Sequence, residues 1–232
     1  MIYPKEKITI DHHNHVKYSQ DFHYSEAEMI DRSASFYEHL NKRRSIRLFS
    51  DQSIPKSVIT NLIRTAATSP SGAHKQPWTF CAISNPQLKS KIRIAAEAEE
   101  KISYESRMST RWKDDLKALG TDMHKPFLET APWLIAVFKK TYDLNDQNQK
   151  QNNYYVNESV GIACGMLITA IHNAGLVTLT HTPSPMNFLA DLLNRPVNEK
   201  AFMLFPVGYA AAEVYVPDIT RKSIEEVSAF YE

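Results

Sequence analysis

Three guanidinium groups and a hydroxyl fall within five residues at Arg43-Arg44-Ser45-Ile46-Arg47. Guanidinium forks and hydroxyls suit a phosphate monoester where no glycine loop supplies backbone N–H groups. A solvated basic turn is the plainer reading of the same run. Further on, Pro70-Ser71-Gly72-Ala73-His74 stands between a helical and an extended pattern. Ser71 can donate its hydroxyl, Gly72 lets a backbone come close to a ligand, and the Ala73 N–H would point outward. The bland alternative is a helix-to-strand turn. Glu100 and Tyr104, spaced i, i+4, share a helix face, and Lys125 comes later. A carboxylate, a phenol and an ammonium could together grip a zwitterion, Glu100 on an α-ammonium and Lys125 on an α-carboxylate. Taken singly, Glu100 is one more solvated charge of the Glu97–Lys101 stretch. Thr180-His181-Thr182-Pro183 ends an extended run, where Thr182 could offer a hydroxyl to a pocket. His181 is there either a general base or a surface residue. His12-His13-Asn14-His15 reads as a solvated tail, because no zinc-type spacing of further ligands follows.

Other chemistries are poorly served. Only 6 of the 232 residues are Gly, and neither G-x-G-x-x-G nor G-x-x-x-x-G-K-[ST] occurs, which argues against a Rossmann dehydrogenase and a P-loop NTPase. HExxH and GxSxG are missing as well, and no hydrolytic triad can be assembled. Lys plus Arg number 27 against 26 Asp plus Glu, so the formal charge is +1 and no basic excess exists to hold nucleic acid or an anionic membrane. A chain 43% hydrophobic and 23% charged is ordinary globular material. Cys81 and Cys164 lie far apart in apolar stretches, which excludes a disulfide framework and fits a reduced compartment. The N-terminal segment lacks the apolar run of a signal peptide, and the most apolar stretch, Val160–Ile171, is too short to span a bilayer. A soluble cytoplasmic protein is the expectation.

The elements that must position these groups can be read from pattern. Residues 1–30 are polar and without clear periodicity, and read as an arm that orders only against a partner. The remainder, 31–232, shows no repeat or linker and counts as one domain. Ser53-Ile54-Pro55 opens a helix carrying Val58, Ile59, Leu62, Ile63 and Ala66, with Ser53 able to cap. Trp78–Ile83 is a strand, and Asn85-Pro86 starts a second helix bearing Leu88, Ile92, Ala95 and Ala96. Residues 97–125 form a charged, mobile helical excursion, a lid over a surface. Pro132–Phe138 reads as a buried strand, residues 145–153 as a polar loop, and a helix from Asn157 or Ser159 to Asn173 ends at Gly175. Leu176–Thr182 and Ala201–Tyr209 are strands flanking a Leu-rich helix near 187–193. Such alternation gives an α/β or α+β sheet domain. The Val160–Ile171 helix is apolar on nearly every face, and Gly161-x-x-x-Gly165 would admit a second backbone. A central core helix and a dimer seam are equal readings.

Five stretches in order, R-R-S-I-R (43–47), A-A-T-S-P-S-G-A-H-K-Q-P-W (66–78), L-V-T-L-T-H-T-P (176–183), L-L-N-R-P (192–196) and L-F-P-V-G-Y (204–209), resemble the nitroreductase-like flavoproteins. Within them the chain is similar to the iodotyrosine deiodinases, which are reductive halotyrosine dehalogenases. The likeness runs from about Arg43 to Ile224, and P-S-G-A-H-x-x-P-W with the Glu100, Tyr104 and Lys125 set marks it most strongly. It implies an α+β fold, a mixed β-sheet flanked by helices, in an intertwined homodimer with two FMN sites at the subunit interface. It implies flavin contacts from Arg43, Arg44, Ser45, Ile46, Arg47, Ser71, Gly72, Thr180, His181, Thr182 and Arg221. Ala73, Glu100, Tyr104 and Lys125 would hold the halotyrosine. Ala73 would donate its N–H to the phenolate, and Thr182 would donate to flavin N5. Electrons would come from a partner reductase or NAD(P)H. A broad-specificity FMN nitroreductase or quinone reductase is the rival on the same fold, and a flavin-storage or halotyrosine-sensing protein is the non-enzymatic one. Two departures stand out. Animal relatives carry an N-terminal membrane anchor, whose lack here implies a soluble form, and His181 takes the place of a threonine.

Overall fold

The computed structural model describes residues 7–18 and 23–232, which fall into two compact units, Met1–Lys42 and Arg43–Glu232. In the first unit, β1 (Lys7–Ile10) and β2 (His13–Val16) form an antiparallel hairpin whose turn places Asp11 and His12 at positive φ. Helix α1 (Glu26–Asn41) follows. Ser25 caps it by accepting from the Glu28 N–H, and the Glu28 carboxylate accepts the Ser25 N–H in return. No residue of α1 is buried, and Met29, Ile30, Phe36 and Tyr37 stand exposed. The sequence reading names no element here, and residues 1–6 and 19–22 of its arm lie outside the described residues. Among the described residues no cluster of three or more His, Cys, Asp or Glu could hold a metal.

The second unit is built on a four-stranded sheet in the order β3-β4-β8-β7, comprising β3 (Trp78–Ile83), β4 (Trp133–Lys140), β8 (Glu199–Gly208) and β7 (Val177–Thr178). These strands pair antiparallel, and Ser45 adds a parallel bridge to Thr178. Successive side chains of a strand point to opposite faces, and β4 uses both. Ile135 and Val137 join Phe205 and Val207 against α2 (Lys56–Ala66) and α6 (Val156–Asn173). Leu134, Ala136 and Phe138 pack instead with α3 (Pro86–Ile102), α5 (Phe127–Thr130) and α7 (Asn187–Leu192). The two cores are thus separated by one sheet. This is the expected α+β architecture.

Several local expectations need correction. Helix α2 begins at Lys56 with Pro55 at the cap, since Pro55 has an extended ψ of 139° and Ser53 makes no capping bond. Residues 145–153 are not simply a loop: β5 (Tyr142–Leu144) and β6 (Lys150–Asn152) pair as a hairpin. All three residues of β6 are exposed, so no alternation of apolar residues marked it. The 176–182 run gives only the two residues of β7, then a single bridge from His181 to Leu204. Helix α3 runs on to Ile102, so the excursion proper is a π-helical turn (Ser103–Arg107), α4 (Thr110–Lys117) and the segment leading to Lys125. Helix α6 is not buried all round in this chain. Val160, Ala163, Cys164, Leu167 and Ile171 face the core, while Ile162 and Gly165 are exposed. A Cβ added at Gly161 or Gly165 would meet nothing within 4 Å. Among the described residues no helix is long and apolar enough to cross a membrane.

Candidate active site

The basic run folds against the sheet because the Ile46 N–H donates to the Thr178 carbonyl at 3.2 Å and the Ile46 side chain is buried. Arg43, Arg44, Ser45 and Arg47 thereby line a cavity of about 290 Å³ together with Arg221, Leu119 and residues of the 217–220 segment. The Arg44 guanidinium donates to the Pro217 carbonyl, and Arg221 Nη2 donates to the Arg43 carbonyl at 2.9 Å. These bonds aim the guanidiniums, and no carboxylate is among the lining residues. Burial, then the neighbouring Arg221 and Arg44, press the Arg43 pKa below the usual arginine range. Such a concentration of forked donors suits a doubly charged anion.

Arg47 also lines a second cavity, of about 210 Å³, with Glu100, Tyr104, Lys125 and Thr180 to Thr182. Glu100 arrives there as the last member of the buried stripe of α3, following Lys89, Ile92 and Ala96. Tyr104, on the π-helical turn, donates its hydroxyl to the Thr121 carbonyl at 3.2 Å. Lys125 is fixed at its backbone: its N–H donates to Glu97 Oε1 at 2.6 Å, and Arg93 holds Glu97 at 2.8 Å. The Lys125 ammonium donates to Thr121 Oγ1 at 3.2 Å and to the Asp122 carbonyl, and stands 3.9 Å from Glu100 Oε2. Burial pushes the Glu100 carboxyl up and the Lys125 ammonium down, and each charge partly offsets the other's loss of hydration. Burial, then Glu100 and Asp122, raise the Tyr104 phenol, so it stays a neutral donor.

Thr180 and Thr182 are exposed, whereas His181 between them is buried. The His181 N–H and carbonyl are both exchanged with Leu204, at 2.9 and 3.0 Å, so only its ring is left to face the cavity. Burial, then Lys125 and Arg47, lower its pKa to about 3. Burial overturns the surface-residue reading.

Ser71, Gly72 and Ala73 line neither cavity. They form a tight turn in which Ala73 takes a left-handed backbone, φ 48°. The Gln76 N–H donates to Ser71 Oγ at 2.9 Å, and the Gly72 N–H reaches Ser159 Oγ at 3.4 Å. A Cβ on Gly72 would come within 2.9 Å of the Tyr154 carbonyl oxygen, so the closeness anticipated for this glycine is to the start of α6. Three of the four predicted groupings, through Arg47, through Glu100, Tyr104 and Lys125, and through Thr180 to Thr182, therefore meet in one chain, and the 71–73 turn is not among them.

The nitroreductase family profile matches residues 40–209. An iodotyrosine deiodinase of Haliscomenobacter hydrossis is 57% identical over 204 residues, 88% of this chain and 92% of that protein. Human iodotyrosine deiodinase 1 is 49% identical over 214 residues, 92% of this chain and 74% of the human one. The chain belongs to the nitroreductase family, among its iodotyrosine deiodinases. A crystal structure of an oxidised iodotyrosine deiodinase bound to FMN and 3-iodo-L-tyrosine superposes with a TM-score of 0.73 at 29% identity, covering 84% of this chain and all of that one. As a deiodinase-family chain it also presents wall residues that the sequence reading did not single out for the site. Met108, Leu116, Phe127 and Leu179 join Trp112 around the second cavity, and Leu119 with Pro217, Ile219 and Thr220 around the first. One signal was visible: Trp112 is a large, half-exposed aromatic in an otherwise charged stretch.

Proposed function

We propose that this chain is an FMN-dependent reductive dehalogenase of halotyrosines, converting iodotyrosine to tyrosine and iodide, with bromo- and chlorotyrosine as further substrates. The observation that carries the reading is the single cavity in which Glu100, Tyr104 and Lys125 stand with Arg47 and Thr180 to Thr182. The cofactor fits the residues present. A cluster of guanidiniums lined by no carboxylate matches a phosphate monoester. Arg43, Arg44, Ser45, Arg47 and Arg221 would hold phosphate and ribityl, with Ser71 and Gly72 supplying further contacts. FMN, when bound, supplies the two electrons that no side chain can. Replacing iodine by hydrogen on the aromatic carbon consumes those two electrons and one proton, and releases iodide.

The chain's own part is binding and orientation. Glu100 takes the substrate ammonium, Lys125 its carboxylate, and Tyr104 a polar contact beside them. The Ala73 N–H donates to the phenolate, which a halogen favours by acidifying the phenol. Thr182 offers its hydroxyl to the flavin ring. Closing residues 103–125 over the substrate excludes water and strengthens these charged contacts. Since the 71–73 turn lines neither cavity, we assign it to the site of a second copy, in a homodimer. The exposed Ile162 and Gly165 on α6 support such a seam. The electron donor is a reductase or NAD(P)H.

The test is anaerobic. Purified protein should be yellow, and after dithionite reduction 3-iodotyrosine should reoxidise it with release of tyrosine and iodide. A 2-iodophenol, which gives Glu100 and Lys125 no partner, should do so at least tenfold more slowly (roughly, for the loss of charge-assisted contacts). Equal rates for the two would favour a broad-specificity reductase.

A further inference from the structure

Among residues 180–182 His181 is turned inward, as alternation along an extended run requires. Its ring is 5% exposed and stands edge-on to Phe127, with centroids 5.8 Å apart. Phe127 opens α5 two residues after Lys125. Nδ1 lies 4.0 Å from Glu100 Oε1, while Nε2 is buried with no hydrogen-bond partner among the described residues. The ring is therefore wedged between the root of the Lys125 segment and the Glu100 carboxylate.

That geometry assigns the proton. A buried ring nitrogen without an acceptor is better left as a bare lone pair than as an N–H, so Nδ1 carries the hydrogen and points it at Glu100. The ring is neutral, and its contact with the carboxylate is that of a dipole. Glu100 then has neighbours on both sides, His181 at Oε1 and Lys125 at Oε2. Without the imidazole the carboxylate would be free to close fully on the lysine, and a closed pair presents neither charge to a ligand. We infer that His181 is a positioning residue for Glu100. Its Nδ1–H donates to Oε1 as the carboxylate settles on a ligand, and keeps the acid and Lys125 apart so that they meet opposite ends of an amino acid. This rests on the reading that Glu100 receives the substrate ammonium.

The FMN-loaded oxidised enzyme can be titrated by flavin absorbance with 3-iodo-L-tyrosine and with its des-amino analogue, 3-(4-hydroxy-3-iodophenyl)propanoate. Wild type should prefer the amino acid. In His181→Phe and His181→Val that preference should fall on the order of tenfold, through weaker iodotyrosine binding, with the analogue unchanged, as for loss of one bond to a charged group. His181→Asn, which restores an N–H near Nδ1, should recover most of it; the Val and Asn variants keep the test decisive if the Phe variant does not fold. Preference unchanged in the apolar variants, or both ligands weakened alike, overturns the inference while leaving the Glu100 reading intact. Equal affinity of wild type for both ligands overturns that reading, and this inference with it.

Discussion

In the smaller cavity Glu100, Lys125 and His181 have all given up water, and each answers differently. Burial works against the charge of both the acid and the lysine, and each partly offsets it for the other by standing opposite, whereas the imidazole is held neutral by burial, to which Lys125 and Arg47 add. That neutrality has a consequence for stability. The His181 pKa of about 3 in the fold lies below the 6.5 of a free ring, so as pH falls the unfolded chain takes up the proton first. Stability from this residue is complete above about pH 6.5 and is lost as pH drops towards 3. Near pH 5 the loss amounts to about 2 kcal/mol. Thermal unfolding should therefore show wild type losing more stability than His181→Phe between about pH 7 and about pH 5, by that amount. Matching losses would mean that the ring takes up a proton in the folded state.

Helix α3 does more than carry Glu100. One turn earlier Glu97 accepts the Lys125 N–H, and Arg93 ties Glu97 in place while also reaching Glu129 of α5 at 3.1 Å. The helix thus places both charges of the proposed grip, one by its side chain and one by anchoring the segment that bears it. Burial opposes the Glu97 charge, but the Lys125 N–H and Arg93 outweigh it and hold the carboxyl below its ordinary range. Glu97→Ala should weaken halotyrosine binding by about tenfold or more, the value of a bond to a charged acceptor, with flavin still bound; isothermal titration reads this directly. Much of this frame was legible beforehand. Strand Trp78–Ile83 and the Asn85 cap of α3 follow directly from residue type, because β-branched and aromatic runs and an Asn-Pro pair have local causes. Glu100 was half legible: it stands four residues after Ala96 on the apolar stripe, yet the charged neighbours Glu97 to Lys101 made it look solvated. The β5–β6 hairpin and the brevity of β7 were not, since both depend on tertiary pairing that local pattern does not encode. The 71–73 motif was recognisable by resemblance, but its absence from the cavities that the other three groupings line was not.

For the whole molecule, the placement of that turn is decisive. A site shared between two copies can be tested by mixing chains that are each defective in one half. Glu100→Gln/Lys125→Met removes the grip, and Gly72→Val disturbs the turn against Tyr154. Neither homodimer should turn over iodotyrosine, but unfolding and refolding the two together should return about a quarter of wild-type activity, since half the dimers are mixed and each holds one intact site. No recovery would place a complete site within each chain. The arginine knot bears on the same molecule in another way. Burial and the nearby Arg221 and Arg44 press on Arg43 in a cavity lined by no acid, so a phosphate-bearing guest held there, as proposed, would act as internal counterion as well as reagent. Newly made chains that meet little flavin would then be the softer population, more exposed to proteolysis, and a cell's vitamin status would govern how long this protein lasts before it governs how fast it works.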